Sequence, residues 1–292
     1  MTRATATGWA AAAVMAALVA AGGRAEAPGA RRDTHENLHA VLWMQSAAEY
    51  QAITRGIYHL AALQLDRAID DKRWTAIPDQ AGRADLPALG PAVILDVDET
   101  VLDNSPEEGE RVRRRAAYVP ELFRTWVARA EATTVPGAAD FVRYAMSRSV
   151  EVFLVTNRDP TMKEATVENL RKQGVNMNAG QILCWGEHGR EDDPSDKSGR
   201  RQFVAATHRV LLLVGDDLGD FVSVTEPPAR RFGRAERALL VERFSGYWEQ
   251  RWLVLPNPAY GSWEKTYYPA VAADADALAR QFEGVRGFKP NP

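Results

Sequence analysis

Ala92-Val-Ile-Leu-Asp-Val-Asp98 decides the fold. An apolar run rich in β-branched residues ends in two acids, one residue apart. A run this short and this apolar reads as a strand buried on both faces, as in parallel sheets. Residues i and i+2 of an extended chain point to the same side. Asp96 and Asp98 can therefore lean into one pocket at the strand's end.

Working outward, Val150 to Thr156 and Val210 to Val214 repeat the pattern, and Ile182 to Cys184 is a shorter version. Ala238 to Val241 reads as a last strand. Between them, Ala138 to Ser147, Lys163 to Gln173 and Phe203 to Thr207 have helical spacing. Glu107 to Ala132 reads as helix with a break at Pro120, and His35 to Lys72 as helix throughout. Ile77 to Pro91 and Gly186 to Arg201 read as loops. Strands alternating with helices predict an α/β three-layer sandwich around a parallel, Rossmann-like sheet. Residues 34–76 form an N-terminal helical region beside it, within a domain running to 292, and residues 104–134 a small helical cap. Ligands of such sheets bind beyond the carboxyl ends of the strands.

Those ends carry reactive groups. The first offers Asp96 and Asp98, the second Thr156, and the third Asp216, Asp217 and Asp220 within Gly215-Asp-Asp-Leu-Gly-Asp220. Lys197 lies in the polar loop between the last two. Taken singly, such acids often cap helices, and a lone Thr or Lys is usually solvated. Taken together, in order and mostly on successive strand ends, they point to a site. Several carboxylates this close repel unless a cation sits among them. Mg²⁺, a hard ion bound by oxygen, suits them and leaves room for phosphate. The strand ends lack the soft ligands that favour zinc. A carboxylate can serve as nucleophile and form an aspartyl-phosphate. A neighbouring acid then protonates the leaving oxygen.

Asp96-Val-Asp-Glu-Thr100, Val155-Thr-Asn157, Lys197 and Gly215-Asp-Asp-Leu-Gly-Asp220 resemble the four motifs of the haloacid-dehalogenase-like hydrolases. Glu36-Asn-Leu38, Leu42-Trp-Met-Gln45, Ile94 to Pro106 and Leu255 to Glu264 narrow the resemblance to the class C, or lipoprotein e type, bacterial acid phosphatases. The resemblance implies that Asp96 is nucleophile and Mg²⁺ ligand. Asp98 is then general acid/base and touches the metal through its carbonyl, and Asp216 is the third protein ligand. Thr156, Lys197 and the Asn157 backbone bind phosphate, while Asp217 and Asp220 hold metal waters or orient Lys197. The implied substrates are phosphate monoesters, among them nucleoside 5′-monophosphates and nicotinamide mononucleotide, hydrolysed on the acid side of neutrality. The family commonly has an aromatic residue after Asn-Ser-Pro106, where this chain has Glu107 and Glu108.

The 292-residue chain carries a net charge of −3, so no basic field points to nucleic acid. Arg3, the apolar run Trp9 to Ala21 and the small residues Ala25 and Ala27 have the pattern of a secretory signal peptide over 1–27. That run is too short to span a bilayer, which takes roughly 20 residues. The expected location is the periplasm or outside the cell. No cysteine near the signal suggests a lipid anchor, and Cys184, the only cysteine, reads as an inert buried thiol. A homodimer is among the oligomeric states the sequence leaves open. Two alternatives compete with the phosphatase reading. One is a haem- or nucleotide-binding protein with little turnover. The other is a zinc peptidase using His35 and His39 of His35-Glu-Asn-Leu-His39. The signal reading is checked by expressing the full chain in a bacterium with two membranes. The mass of the exported protein should show loss of residues 1–27; an intact N-terminus in the cytoplasm would contradict it.

Overall fold

A computed structural model describes residues 35–227, 230–266 and 285. The expected signal segment lies outside the described residues. Strands β1 (Gly90–Leu95), β2 (Glu151–Val155), β3 (Ile182–Leu183), β4 (His208–Gly215) and β7 (Trp252–Val254) form one parallel sheet in the order β3-β2-β1-β4-β7. A short antiparallel pair, β5 (Thr225–Glu226) and β6 (Arg230–Arg231), stands apart. The chain steps outward from β1 to β3, then returns to the other side of β1 for β4. The strand order therefore reverses between β1 and β4, the place where open α/β sheets bind ligands.

Helices α1 (Leu38–Ser46), α2 (Ala48–Asp70), α3 (Ser105–Arg114), α4 (Pro120–Arg129), α5 (Ala138–Ser147), α6 (Lys163–Lys172), α7 (Ser198–Thr207) and α8 (Arg234–Arg243) complete the described structure. Alternate side chains of the strands feed two cores. Val93, Leu95, Val152 and Leu154 pack with Leu65 of α2, Phe141 and Val142 of α5 and Leu170 of α6. Ala92, Ile94, Phe153 and Val155 pack with Val204 and Ala205 of α7 on the other face. Helices thus cover both faces, which explains why the strands read as unbroken apolar runs. The pairing of β1 with β4 shifts register between Ala92 and Val93, next to Pro91, which has no N–H for a ladder bond.

The N-terminal helices are tied to the sheet by polar groups. Arg209 of β4 is fully buried, and its guanidinium donates to the carbonyls of Ala68 (2.9 Å), Asp71 (2.7 Å) and Trp74 (3.3 Å). It thereby satisfies carbonyls at the C-terminal end of α2, where cations are also electrostatically favoured. Gln80 donates to the carbonyls of Ala205 and His208 and accepts from Val210 N–H.

Three elements differ from the sequence reading. The helix expected over His35 to Lys72 is two helices, with Ala47 extended between them. Ser46 Oγ donates back to the carbonyl of Leu42 (2.5 Å), a local bond that competes with helix continuation. The helix expected from Phe203 begins at Ser198. Ala238 to Val241 is no strand: it lies within α8, and Trp252–Val254 is the last strand instead. Four apolar residues do not separate a strand from a helix turn. The flanking Arg234-Ala-Glu-Arg237 and Glu242-Arg243 supply good helix formers. No helix among the described residues is long and apolar enough to cross a membrane.

Leu239 is 69% exposed and Leu65 is fully buried. Urea unfolding of Leu239→Ser should therefore match the parent within about 0.5 kcal/mol, whereas Leu65→Ala should lose about 2–5 kcal/mol. A large loss at Leu239 would restore the buried-strand reading.

Candidate active site

Two central strands deliver the acids. Asp96 follows β1, its N–H donating to the carbonyl of Val214 (3.0 Å), and Asp216 follows β4. Asp220 closes a single 3-10 turn, Leu218–Asp220. One carboxylate oxygen from each of Asp96, Asp216 and Asp220 lies within 4.8 Å of the others. Lys197 Nζ donates to Asp96 Oδ1 (2.5 Å) and to Asp220 Oδ1 (2.6 Å). Asp96, Asp220 and Lys197 are buried.

Burial of these charges has consequences. It pushes Asp96 up to about 7 against the pull of Lys197, with Asp220 and Asp98 pushing the same way as burial. Asp216 is held well above the carboxylate range by burial and by repulsion from Asp96 and Asp220. Burial also opposes the charge of Lys197, but Asp220 and Asp96 outweigh it and hold the ammonium above its ordinary value. The cluster thus sets three carboxylates against one lysine, and at Asp96 and Asp216 the neutral acid is favoured. Its donors are all oxygen and lie within 4.8 Å of one another, and this set fits a hard divalent cation such as Mg²⁺.

Asp98 is held differently. Its Oδ1 accepts from Asn104 Nδ2 (2.8 Å) and Arg158 Nε (3.0 Å), and Arg158 NH2 lies 2.9 Å away as an ion pair. Its Oδ2 accepts from Thr156 Oγ1 (3.2 Å). Thr156 Oγ1 also accepts from the N–H of Arg158 (3.1 Å).

The start of α7 ties the strand ends together. Asp196 Oδ1 accepts from Ser198 N–H (2.6 Å), fixing the turn that carries Lys197. Arg200 is fully buried and donates to the Thr156 carbonyl (2.5 Å) and Asn157 Oδ1 (2.8 Å). Arg201 donates to the carbonyls of Gly219 (2.8 Å) and Asp220 (3.0 Å). One helical turn thus reaches all three strand ends.

Further residues complete the site. Thr100 Oγ1 donates to Asp216 Oδ1 (3.2 Å) and Asn257 Nδ2 to Asp216 Oδ2 (2.8 Å). Tyr58 of α2 donates to the Thr100 carbonyl (2.6 Å). Glu99, buried with φ 56°, accepts from Asn104 N–H (2.7 Å) and closes the loop from Asp96 to Asn104. Asp217 is held by the neighbouring loops. Its oxygens accept from Gly219 N–H (2.7 Å), Ser262 N–H (2.6 Å) and Ser262 Oγ (2.6 Å). It caps the 3-10 turn and holds the C-terminal loop, while Asp220 alone of the two contacts Lys197.

Asp96, Asp98, Asn157, Lys197, Asp216, Asp217 and Asp220 line one cleft of about 510 Å³. Thr156 is fully buried just behind it. The segment 104–134 holds α3 and α4 and supplies one wall. Glu107 and Glu108 are buried there, both paired with Arg111. The Arg111 guanidinium lies 5.5 Å from the ring centre of Tyr118. Tyr118 is 55% exposed and sits 6.1 Å from Phe123, and both rings line the cleft. Tyr260 also lines it, whereas Trp252 lies in the core with Trp248 packed against it. Burial pushes the Cys184 thiol up to about 11, as expected of an inert thiol.

The histidine pair does not form a metal site. Helix α1 begins only at Leu38, so His35 precedes it and does not share a helical face with His39. His35 Nδ1 accepts from Asn37 N–H (3.1 Å), and His39 is exposed.

A strand-end nucleophile candidate, a buried lysine and an oxygen-only acid cluster at the reversal point of a parallel sheet define a haloacid-dehalogenase-like centre. Residues 30–263 match the family model of the HAD superfamily, subfamily IIIB (acid phosphatase), and the chain belongs to that family. It is similar to two solved structures of the class C acid phosphatase of Bacillus anthracis, one of them with tungstate bound. Each is 29% identical, with a TM-score of 0.74, and the match covers 87% of this chain and 98% of the other. It is also similar to acid phosphatase 1 of Solanum lycopersicum, 26% identical over 162 residues, which is 55% of this chain. The chain spans 62% of the length of that curated relative.

A Cβ built on Gly215 would lie 2.5 Å from Asp220 Cβ. Gly215→Ala must therefore displace Asp220 and, with it, Lys197. A displacement near 1 Å costs on the order of 100-fold in rate. Phosphatase assays should show a loss of that order with the far-ultraviolet circular dichroism unchanged; full activity would contradict the tight packing of this corner.

Proposed function

We propose that this protein hydrolyses phosphate monoesters through an aspartyl-phosphate on Asp96, with Mg²⁺ as cofactor. The observation that carries the reading is the placement of Asp96. Its carboxylate is buried at the end of the cleft, fixed by Lys197, and lies within reach of the carboxylates of Asp216 and Asp220. The family membership agrees with this reading.

In the first half-reaction the Asp96 carboxylate attacks phosphorus, and the bond from phosphorus to the leaving oxygen breaks. Asp98 gives its proton to that oxygen, so the alcohol departs neutral. Lys197, Thr156 and the Asn157 backbone N–H hold the phosphoryl oxygens as charge shifts in the transition state. In the second half-reaction Asp98 takes a proton from water, the water attacks phosphorus, and Asp96 is released as carboxylate with inorganic phosphate. Mg²⁺, held by Asp96, Asp216 and the Asp98 carbonyl, would supply positive charge against the phosphate. Asp220 orients Lys197, and Thr100 and Asn257 fix the two oxygens of Asp216.

The substrates we favour are nucleoside 5′-monophosphates or nicotinamide mononucleotide. The cleft volume lies in the range of small-molecule sites, and the rings of Tyr118 and Phe123 offer apolar faces to a planar leaving group. The signal-peptide pattern over residues 1–27 supports a periplasmic or secreted enzyme.

Phosphate release should be followed for p-nitrophenyl phosphate, nucleoside 5′-monophosphates, nicotinamide mononucleotide and sugar phosphates. Release should require Mg²⁺, stop with a chelator and return when Mg²⁺ is restored. Asp96→Asn should lower kcat by on the order of 10³-fold or more, as removal of a nucleophile does elsewhere. Absence of release from every ester with Mg²⁺ present would contradict the proposal and favour a binding protein.

A further inference from the structure

Arg158 has no role in the mechanism above, yet it is among the most enclosed charged side chains at the site, 1% exposed. Two of its nitrogens, Nε and NH2, converge on a single oxygen, Asp98 Oδ1. Asn104 Nδ2 donates to the same oxygen. Two donors and the paired NH2 crowd Oδ1, whereas Oδ2 has only Thr156 Oγ1, at the longer distance of 3.2 Å. The two oxygens of Asp98 are therefore not equivalent.

The guanidinium is itself fixed. NH1 donates to Thr166 Oγ1 of α6 (2.9 Å), and that hydroxyl donates to the Met162 carbonyl (2.9 Å). NH2 also reaches Asn104 Oδ1 (3.4 Å), which accepts from Trp126 Nε1 of α4 (2.9 Å). The ring of Phe123, also from α4, lies 5.8 Å from the guanidinium. The helix that walls the cleft thus rests on the groups that grip Asp98.

We propose that Arg158 is a positioning residue which, with Asn104, immobilises Oδ1 of Asp98 so that Oδ2 alone exchanges the proton with the leaving group. The inference rests on the phosphatase reading, with Asp98 as proton donor. In the step concerned the O–H bond at Oδ2 breaks, its proton moves to the ester oxygen, and the bond from that oxygen to phosphorus breaks. In the second half-reaction Oδ2 takes the proton back from the attacking water. Helix α4, through Trp126 and Phe123, sets the orientation of this acid. Lysine is no substitute here, because a single ammonium lacks the planar fork that reaches Asp98 and Thr166 at once.

The test compares two esters that differ in their need for a proton. p-Nitrophenyl phosphate departs as a stable phenolate, whereas β-glycerophosphate departs as an alkoxide unless protonated. General acid catalysis contributes about 10²–10⁴-fold in such steps. Arg158→Gln should therefore lose on the order of 10-fold or more in kcat/KM on β-glycerophosphate beyond its loss on p-nitrophenyl phosphate. Arg158→Lys should recover only part of that difference. Equal losses on both esters, or no loss on either, would overturn the proposal, since a merely structural role affects both alike. Removing one partner of a buried ion pair can unfold a protein. If Arg158→Gln does not fold, Trp126→Phe, which removes the bond to Asn104 and keeps an aromatic ring in the packing, carries the test. Its ester ratio should shift in the same direction by a smaller factor, and an unchanged ratio would overturn the proposal. Failure of the unaltered protein to hydrolyse either ester would instead contradict the phosphatase reading itself.

Discussion

Everything at this site depends on keeping three carboxylates together in a buried place. Asp96, Asp216 and Asp220 converge within 4.8 Å, where their charges repel and water is scarce. Lys197 is what the chain itself supplies against that repulsion, bridging Asp96 and Asp220. The lysine is the group most constrained by this task. It must be buried, yet it must also come from an element outside the strands that carry the acids. The turn at the start of α7 satisfies both demands, because Asp196 caps it and Arg200 and Arg201 staple it to the neighbouring strand ends. What remains is a set of carboxylate oxygens close enough together that they could hold a metal ion.

Asp98 sits in a separate electrostatic environment a short distance along the same loop. Its carboxylate is surrounded by donors, whereas that of Asp96 is surrounded mostly by other acids. In the proposed mechanism these two carboxylates, two residues apart, would do different work: one would attack and one would carry a proton. The segment 104–134 takes part in that division. Asn104 opens it and touches Asp98, while Trp126 and Phe123 bear on Asn104 and Arg158. The buried Glu107, Glu108 and Arg111 support Tyr118 at the same wall. Where the family commonly has an aromatic residue directly after Pro106, this chain has a charged cluster and presents aromatic rings from further along the cap.

Much of this was legible in the sequence because strand and site coincide. Buried parallel strands are unbroken apolar runs, and the acids that end them stand out against that background. Lys197 was legible only through its place in a family-like order. The residues that were not legible are arginines and amides whose partners lie far along the chain. Arg158, Arg200 and Arg201 occur in polar stretches where solvated arginine is the ordinary expectation, and Asn257 is 41 residues from the Asp216 it contacts. Asp217, beside a metal-ligand candidate, shares its chemistry but points to Ser262. The strand expected at 238–241 failed for a different reason. Its apolar run spans about one helical turn, and only the helix formers on either side distinguish the two outcomes.

The central claim is that Asp96 becomes covalently phosphorylated. The most direct measurement is to mix enzyme, Mg²⁺ and a fast substrate, quench in acid during turnover, and reduce with borohydride, which converts an acyl-phosphate to an alcohol. Peptide mass spectrometry should then find homoserine at position 96, dependent on substrate and confined to that position. Rapid turnover with position 96 unmodified, or with the modification at another carboxylate, would contradict the account.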